Sequence, residues 1–275
     1  MTGVQERKIR SWWNRFVRRY DAADAEVRLN TRLKESHTLR VCRETLGLGR
    51  ALGMSPEDLR LAGILALLHD VGRFEQYARY RTFADVKSEN HALLSLAILR
   101  REGVLQKLSP RTQSIIRRAI RYHNRAELPA VRDRRLLLFA RLLRDADKLD
   151  IWRLALAYYA APPGRKNHAI SIGLPDLPGV TPEVLEDLQE ERIVASKNIR
   201  SLTDLKLLQM GWVFDVNFVP TLRVMVRRGY LEKMRNVLPA DDAARGAHAI
   251  VRAYVDRRLA GSPESKECPA HPRLM

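Results

Sequence analysis

Six residues in the first 150 have the chemistry and placement of a metal site: His37, the adjacent pair His69-Asp70, His91, His123 and Asp147. The whole chain has only seven histidines. Four of them at helical apolar positions within one stretch form a pattern rather than a scatter. Neutral imidazole and carboxylate are the ligands that borderline divalent metals take. Six such groups on separate segments suggest two metal ions, and a metal-dependent hydrolase.

The helical neighbours of each residue say which way it faces. Leu61, Ala62, Leu65 and Ala66 lie one and two turns before His69 and turn its imidazole toward the core. A buried ionisable pair is costly unless a metal or a counter-charge compensates it. His91 heads a stripe with Leu94, Ser95, Ile98 and Leu99, and His123 closes one made by Ile115, Ile116, Ala119 and Ile120. His37 has Leu33 and Val41 one turn to either side, with Lys34 and Arg40 close by. In the run Arg144 to Asp150, three acids compete for one inward position. Ala140, Leu143, Ile151 and Leu154 share the face of Asp147, which selects it. Asp145 shares a face with Arg141 and Lys148, and Asp150 with Arg153. These two are expected to be surface partners or hydrogen-bonding supports of the ligands.

The elements that must position these groups read as helices throughout, because nearly every segment has a period of 3.6 residues. An amphipathic helix is expected over Ile9–Tyr20, with Ile9, Trp12, Trp13, Phe16 and Tyr20 on one side and Arg10, Arg15, Arg18 and Arg19 on the other. Its expected role is to pack on the core. Further helices are expected at about 22–35, 37–53, 57–77, 88–103, 110–125 and 133–160. Ser55-Pro56 and Ser109-Pro110 are helix starts, and Gly53 and Gly103 are helix stops. Prolines and glycines make 161–182 a connector, where His168 is a candidate pocket residue. Helices resume at about 182–210, 218–236 and 240–259. The aromatics of Trp212–Phe218 are expected to anchor this C-terminal part, with a lid carrying Asp215 or Asn217 as the alternative. The fold class is all-α: a basic amphipathic helix in 1–29, a metal-binding helical bundle in 30–160, a connector, a helical subdomain in 183–260 and a disordered tail in 261–275.

Composition narrows the setting. A hydrophobic fraction of 45% with 29% charged residues is globular. The longest apolar runs fall far short of the ~20 residues a membrane span requires. An N-terminus opening on Glu6, Arg7 and Lys8 has no apolar secretory core. Cys42 and Cys268 are too few and too distant for a disulfide framework or a zinc ribbon. A soluble, cytoplasmic protein is expected. The formal charge of +17 favours anionic ligands. Nucleic acid is one candidate, unsupported by any zinc-finger spacing or aromatic RNA-binding motif, and phosphorylated small molecules are the other.

His37, His69-Asp70 and Asp147, in that order on separate helices, resemble the pattern of the HD-domain metal-dependent phosphohydrolases. The resemblance covers about residues 30–155, and His91 and His123 match its expanded, six-ligand version. It implies an HD-type helical bundle and a dinuclear site, with iron or manganese first and zinc, cobalt or nickel also compatible. HD-GYP cyclic-di-GMP phosphodiesterases share paired histidines, but here Asn124 follows His123 and Arg125–Pro129 holds no Gly-Tyr-Pro motif. Diadenosine tetraphosphate hydrolases carry a single histidine at that place, as here, but are shorter.

The resemblance further implies that Asp70 bridges the two ions and that an activated hydroxide attacks a phosphomonoester or phosphodiester. Arg73 is the first choice to hold the substrate phosphate and Lys148 the second. In Tyr77–Phe83, aromatics interleave with Arg79 and Arg81 in a way that suits stacking a base and pairing a phosphate, so a nucleotide is one expected substrate. Six ligands of this type also suit a di-iron oxygenase. A basic module that binds nucleic acid without catalysis is the third reading.

Overall fold

A computed structural model of the chain describes residues 1–261. The expected tail after Gly261, with Cys268 and His271, lies outside the described residues, as does the side chain of His168. Among the described residues there are helices and turns and no strand, so the fold is all-α. The chain divides into two compact units, the first Met1–Gly49 with Ser55–Leu174 and the second Arg50–Met54 with the chain from Pro175 onward.

The first unit holds every candidate ligand. Its helices are α1 (Gly3–Arg18), α2 (Ala25–Ala51), α3 (Pro56–Leu68), α4 (Gly72–Tyr80), α5 (His91–Arg101), α6 (Pro110–His123), α7 (Arg134–Ala160) and the single turn α8 (His168–Ser171). Helix α1 starts on a capping box, with the Thr2 hydroxyl accepting from Gln5 N–H and the Gln5 side chain accepting from Thr2 N–H. It buries Ile9, Trp13, Phe16 and Val17 and packs on α3, as its amphipathic pattern requires. Phe16 meets Phe74 of α4 edge-on at 5.9 Å. Ser55 and Ser109 cap α3 and α6 with proline in the first turn, and Gly53 and Gly103 take left-handed φ values of 68° and 62°. Helix α3 is apolar all round and fully buried from Leu61 to Leu68. It packs against α6 and α7, while α5 joins α4 to α6.

Two expected helix boundaries are corrected. The helices expected at 22–35 and 37–53 are one helix, α2, because no glycine or proline interrupts 25–46. His37 therefore projects from the middle of a long helix. The single helix expected at 57–77 breaks at His69–Val71 and restarts at Gly72. That turn is fastened to α5 by Ser95, whose hydroxyl donates to His69 O (2.9 Å) and accepts from Gly72 N–H (2.8 Å). The backbones approach so closely that a Cβ on Gly72 would fall 2.7 Å from Ser95 N and closer still to His91 O. Gly72→Ala is therefore expected to destabilise the protein by ~1–3 kcal/mol or more. Urea unfolding measures the effect, and an unchanged midpoint would refute the close approach.

The second unit contains α9 (Pro182–Gln189), α10 (Leu202–Gly211), α11 (Val219–Arg227), α12 (Tyr230–Asn236) and α13 (Asp242–Ala260). The helix expected at 182–210 is divided. Helix α9 ends at Gln189, Glu191 turns to a φ of 55°, and a capping box of Ser201 and Asp204 starts α10. The helix expected at 218–236 is likewise divided by a turn at Gly229. Within this unit Phe214 packs edge-on against Tyr254 of α13 at 4.9 Å. No helix among the described residues is long and apolar enough to cross a membrane.

Candidate metal centre

The six candidate ligands meet in one interior pocket of the first unit. His37 comes from the middle of α2, His69 and Asp70 from the turn after α3, His91 from the first turn of α5, His123 from the last turn of α6 and Asp147 from the middle of α7. The four histidines and Asp70 are buried, and the Asp147 side chain is 15% exposed.

Each imidazole is oriented by a bond on its Nδ1. His37 Nδ1 lies 2.7 Å from Asp150 Oδ2, His69 Nδ1 2.7 Å from Ala66 O, His91 Nδ1 2.7 Å from Asp85 Oδ2 and His123 Nδ1 2.6 Å from Ile120 O. All four partners are acceptors, so each Nδ1 donates and Nε2 is the nitrogen turned to the pocket. This is how metal-ligating histidines are held, with the far nitrogen fixing tautomer and ring plane.

The Nε2 atoms fall into two groups around Asp70. Asp70 Oδ2 lies 3.7 Å from His37 Nε2 and 3.7 Å from His69 Nε2, and Asp147 Oδ1 lies 3.1 Å and 3.7 Å from the same two nitrogens. Asp70 Oδ1 faces the other way, 3.5 Å from His91 Nε2 and 3.7 Å from His123 Nε2. Three overlapping sets result: His37, His69 and Asp70; His69, His123 and Asp147; and Asp70, His91 and His123, each with ligand atoms within 4.8 Å of one another.

These donors fit a cation. His37 Nε2, His69 Nε2 and Asp147 Oδ1 are buried without a hydrogen-bond partner, since the 3.1 Å approach of His37 to Asp147 lacks hydrogen-bond geometry. Orphaned buried polar atoms are rare and need a reason. His91 Nε2 and His123 Nε2 stand 3.0 Å apart with both lone pairs turned inward. Two nitrogens at right angles, each about 2.1 Å from a shared ion, have this ~3.0 Å separation.

The electrostatics point the same way. Burial would raise Asp70, but the Lys34 ammonium and the rings of His69, His123 and His91 hold its carboxyl well below the usual range. Asp147 is held well below it against burial by the His37 and His69 rings. Burial, reinforced by the Arg73 guanidinium, pushes His91 down to about 3, so this ring is neutral and free to ligate at neutral pH. His69 is raised despite its burial because Asp70 and Asp147 flank it, so the pocket favours positive charge there.

The neighbours of the cluster refine the sequence reading. Asp150 is buried and joins His37 to Arg40 (2.6 Å) and Arg153 (2.9 Å), which makes it a support of a ligand. Asp145 is wholly buried, so its surface reading is corrected. The charged residues one turn away suggested solvent, whereas α7 is covered on most of its circumference. Asp150→Asn removes the carboxylate that fixes His37 and is expected to weaken metal binding ~10–100-fold. Competition with a chelator reads this out, and an unaltered affinity would contradict the support.

Three further groups were not apparent in the sequence. Asp85, in the segment between α4 and α5, accepts from His91 and also from Arg73 (3.0 Å), Gln76 (2.9 Å) and Asn124 (3.2 Å). Lys34, one turn before His37, donates to Asp70 Oδ2 at 2.9 Å. Arg144, buried one turn before Asp147, donates to the carbonyls of Tyr122, His123, Arg125 and Ala126 and so caps the end of α6 that carries His123. Of the expected substrate cations, Arg73 lies beside Asp70, its Nε 3.7 Å from Oδ1. Lys148 is buried on α7. Arg79 pairs with Glu75 and Glu89, and Arg81 pairs with Asp24 at 2.6 Å, all carboxylates outside the ligand set.

Residues 35–152 match the family model described as the HD domain. No curated protein and no solved structure matches the chain. The matched segment runs from two residues before His37 to five residues after Asp147 and contains all six candidate ligands.

Proposed function

As a chain that carries an HD domain over residues 35–152, this protein is, we propose, a metal-dependent phosphohydrolase that cleaves a phosphomonoester or phosphodiester. The observation that carries the reading is the division of Asp70, whose two oxygens face separate groups of inward-turned Nε2 atoms. One carboxylate shared in this way suits a dinuclear centre. His37, His69, Asp147 and Asp70 Oδ2 would hold one divalent ion, and His91, His123 and Asp70 Oδ1 the other. Iron or manganese suits this set best, and zinc, cobalt or nickel is compatible with it. When bound, such ions supply a hydroxide near neutral pH and offset charge on the phosphoryl oxygens.

The chain's own residues do the remaining work. Asp150 and Asp85 hold His37 and His91 in the tautomers that leave Nε2 unprotonated. Ser95 keeps the His69-Asp70 turn against α5, and Arg144 keeps the end of α6 in place. Buried apolar residues of α3, α6 and α7 surround the cluster, and in such a low-dielectric setting each interaction with a phosphate is stronger than in bulk water. The resemblance offers Arg73 and Lys148 as candidates for phosphate binding, and of the two Arg73 lies beside Asp70, its Nε 3.7 Å from Oδ1. Arg79 and Arg81, the expected base-stacking and phosphate-pairing cations, are engaged with acids elsewhere.

The test is a phosphate-release screen with protein purified anaerobically and loaded with iron or manganese, across nucleotides, dinucleotides and sugar phosphates. Release of inorganic phosphate or of a phosphomonoester from at least one class is expected. Dioxygen consumption with no hydrolysis would replace the hydrolase with an oxygenase. Salt-sensitive nucleic-acid binding with no turnover would replace it with a binding module.

A further inference from the structure

We propose that Lys34 is the anion anchor of this centre, contacting a phosphoryl oxygen of the substrate beside Asp70. The inference rests on the phosphohydrolase reading and adds a residue to it. Lys34 projects from α2 toward the pocket from the same face as His37, one turn away, and its side chain is 14% exposed. Its ammonium has one hydrogen-bond partner among the described residues, Asp70 Oδ2. A lysine carries three donors, so two remain for an anion at the pocket mouth. The ammonium also stands 5.2 Å from the ring of Phe83, an apolar wall on its other side.

Arg73, the cation nearest Asp70 from α4, is differently employed. Its Nη1 donates to Gln76 Oε1, Phe83 O and Asp85 Oδ1, and its Nε is buried without a hydrogen-bond partner, 3.7 Å from Asp70 Oδ1. The guanidinium thus fastens the segment that carries Phe83 and the His91 support Asp85. It holds a wall of the pocket, while Lys34 keeps donors available. A cation held by Asp70 Oδ2 competes with the ammonium for that oxygen, which releases the third donor as well. Lys34 is then a compact, partly exposed positive charge placed next to the candidate ligands, a common arrangement for a residue that binds phosphate as a point charge.

The experiment titrates inorganic phosphate into metal-loaded wild type, Lys34→Gln and Lys34→Arg, with metal content measured on the same samples. Both replacements keep a hydrogen-bond donor for Asp70, and arginine also keeps the charge. Lys34→Gln is expected to retain wild-type metal content and to lose phosphate affinity by ~10-fold or more, the weight of one charge-assisted contact. Lys34→Arg is expected to recover most of that loss. Wild-type phosphate affinity in Lys34→Gln overturns the anchor and leaves the hydrolase intact. Loss of metal together with phosphate overturns it too, since Lys34 would then act only through Asp70. A metal-loaded wild type that binds no phosphate and hydrolyses no ester overturns both the anchor and the parent reading.

Discussion

Asp70→Asn is expected to abolish phosphate release and to lower metal content below that of the wild type. The amide keeps the shape of the side chain but has one carbonyl oxygen where the carboxylate has two. It cannot serve both groups of imidazoles, which approach different oxygens of the carboxylate at 3.5–3.7 Å. Losing a hydrogen-bond partner of a ligand costs ~10–100-fold in metal affinity or activity, and losing a shared ligand should exceed that. Circular dichroism would show the helices intact, because Asp70 lies in the turn between α3 and α4 and caps neither. His69→Ala is expected to behave in the same way. Turnover and metal content unchanged in either variant would contradict the site.

His91→Ala is the second large effect, and it separates two ions from one. His91 lies 3.5 Å from Asp70 Oδ1 and 3.0 Å from His123 Nε2, in a set that does not include His37. Its loss is expected to remove one equivalent of metal and leave the equivalent held by His37, His69 and Asp147. Activity should fall by more than ~100-fold, since two-metal hydrolysis needs both sides of the clamp. Asp85→Asn should act on the same side more weakly, because the ring stays and only its orientation loosens. If His91→Ala kept its full metal complement, the division into two groups would fail.

The ligands were legible because each is a polar residue set into an apolar helical stripe. His123 after Ile115, Ile116, Ala119 and Ile120 can face only inward, and these neighbours are buried as that pattern demands. The same argument turns Asp147 inward and sets Asp145 and Asp150 on other faces, whereas both of these are buried more deeply than Asp147. What was illegible lacks a period. Asp85 sits in an irregular segment with a short 3-10 turn, where no repeat tells which way a side chain points. Lys34 lies among alternating charges on α2 that read as a solvated face, and only the fold brings Asp70 to within 2.9 Å of it. The break at His69 was hidden because an apolar run followed by Gly72 continues a helical pattern on paper. The close approach of α5 that requires this glycine is a tertiary fact. In the second unit the capping box of Ser201 and Asp204 was a visible signal that a helix starts at 202.

The central claim is that one carboxylate organises a pair of metal ions. Native mass spectrometry of anaerobically purified protein counts the ions bound to each chain directly. Two ions per chain are expected in the wild type, and removing both with a chelator is expected to abolish phosphate-ester hydrolysis. A single ion per chain at saturation, or none, would contradict it.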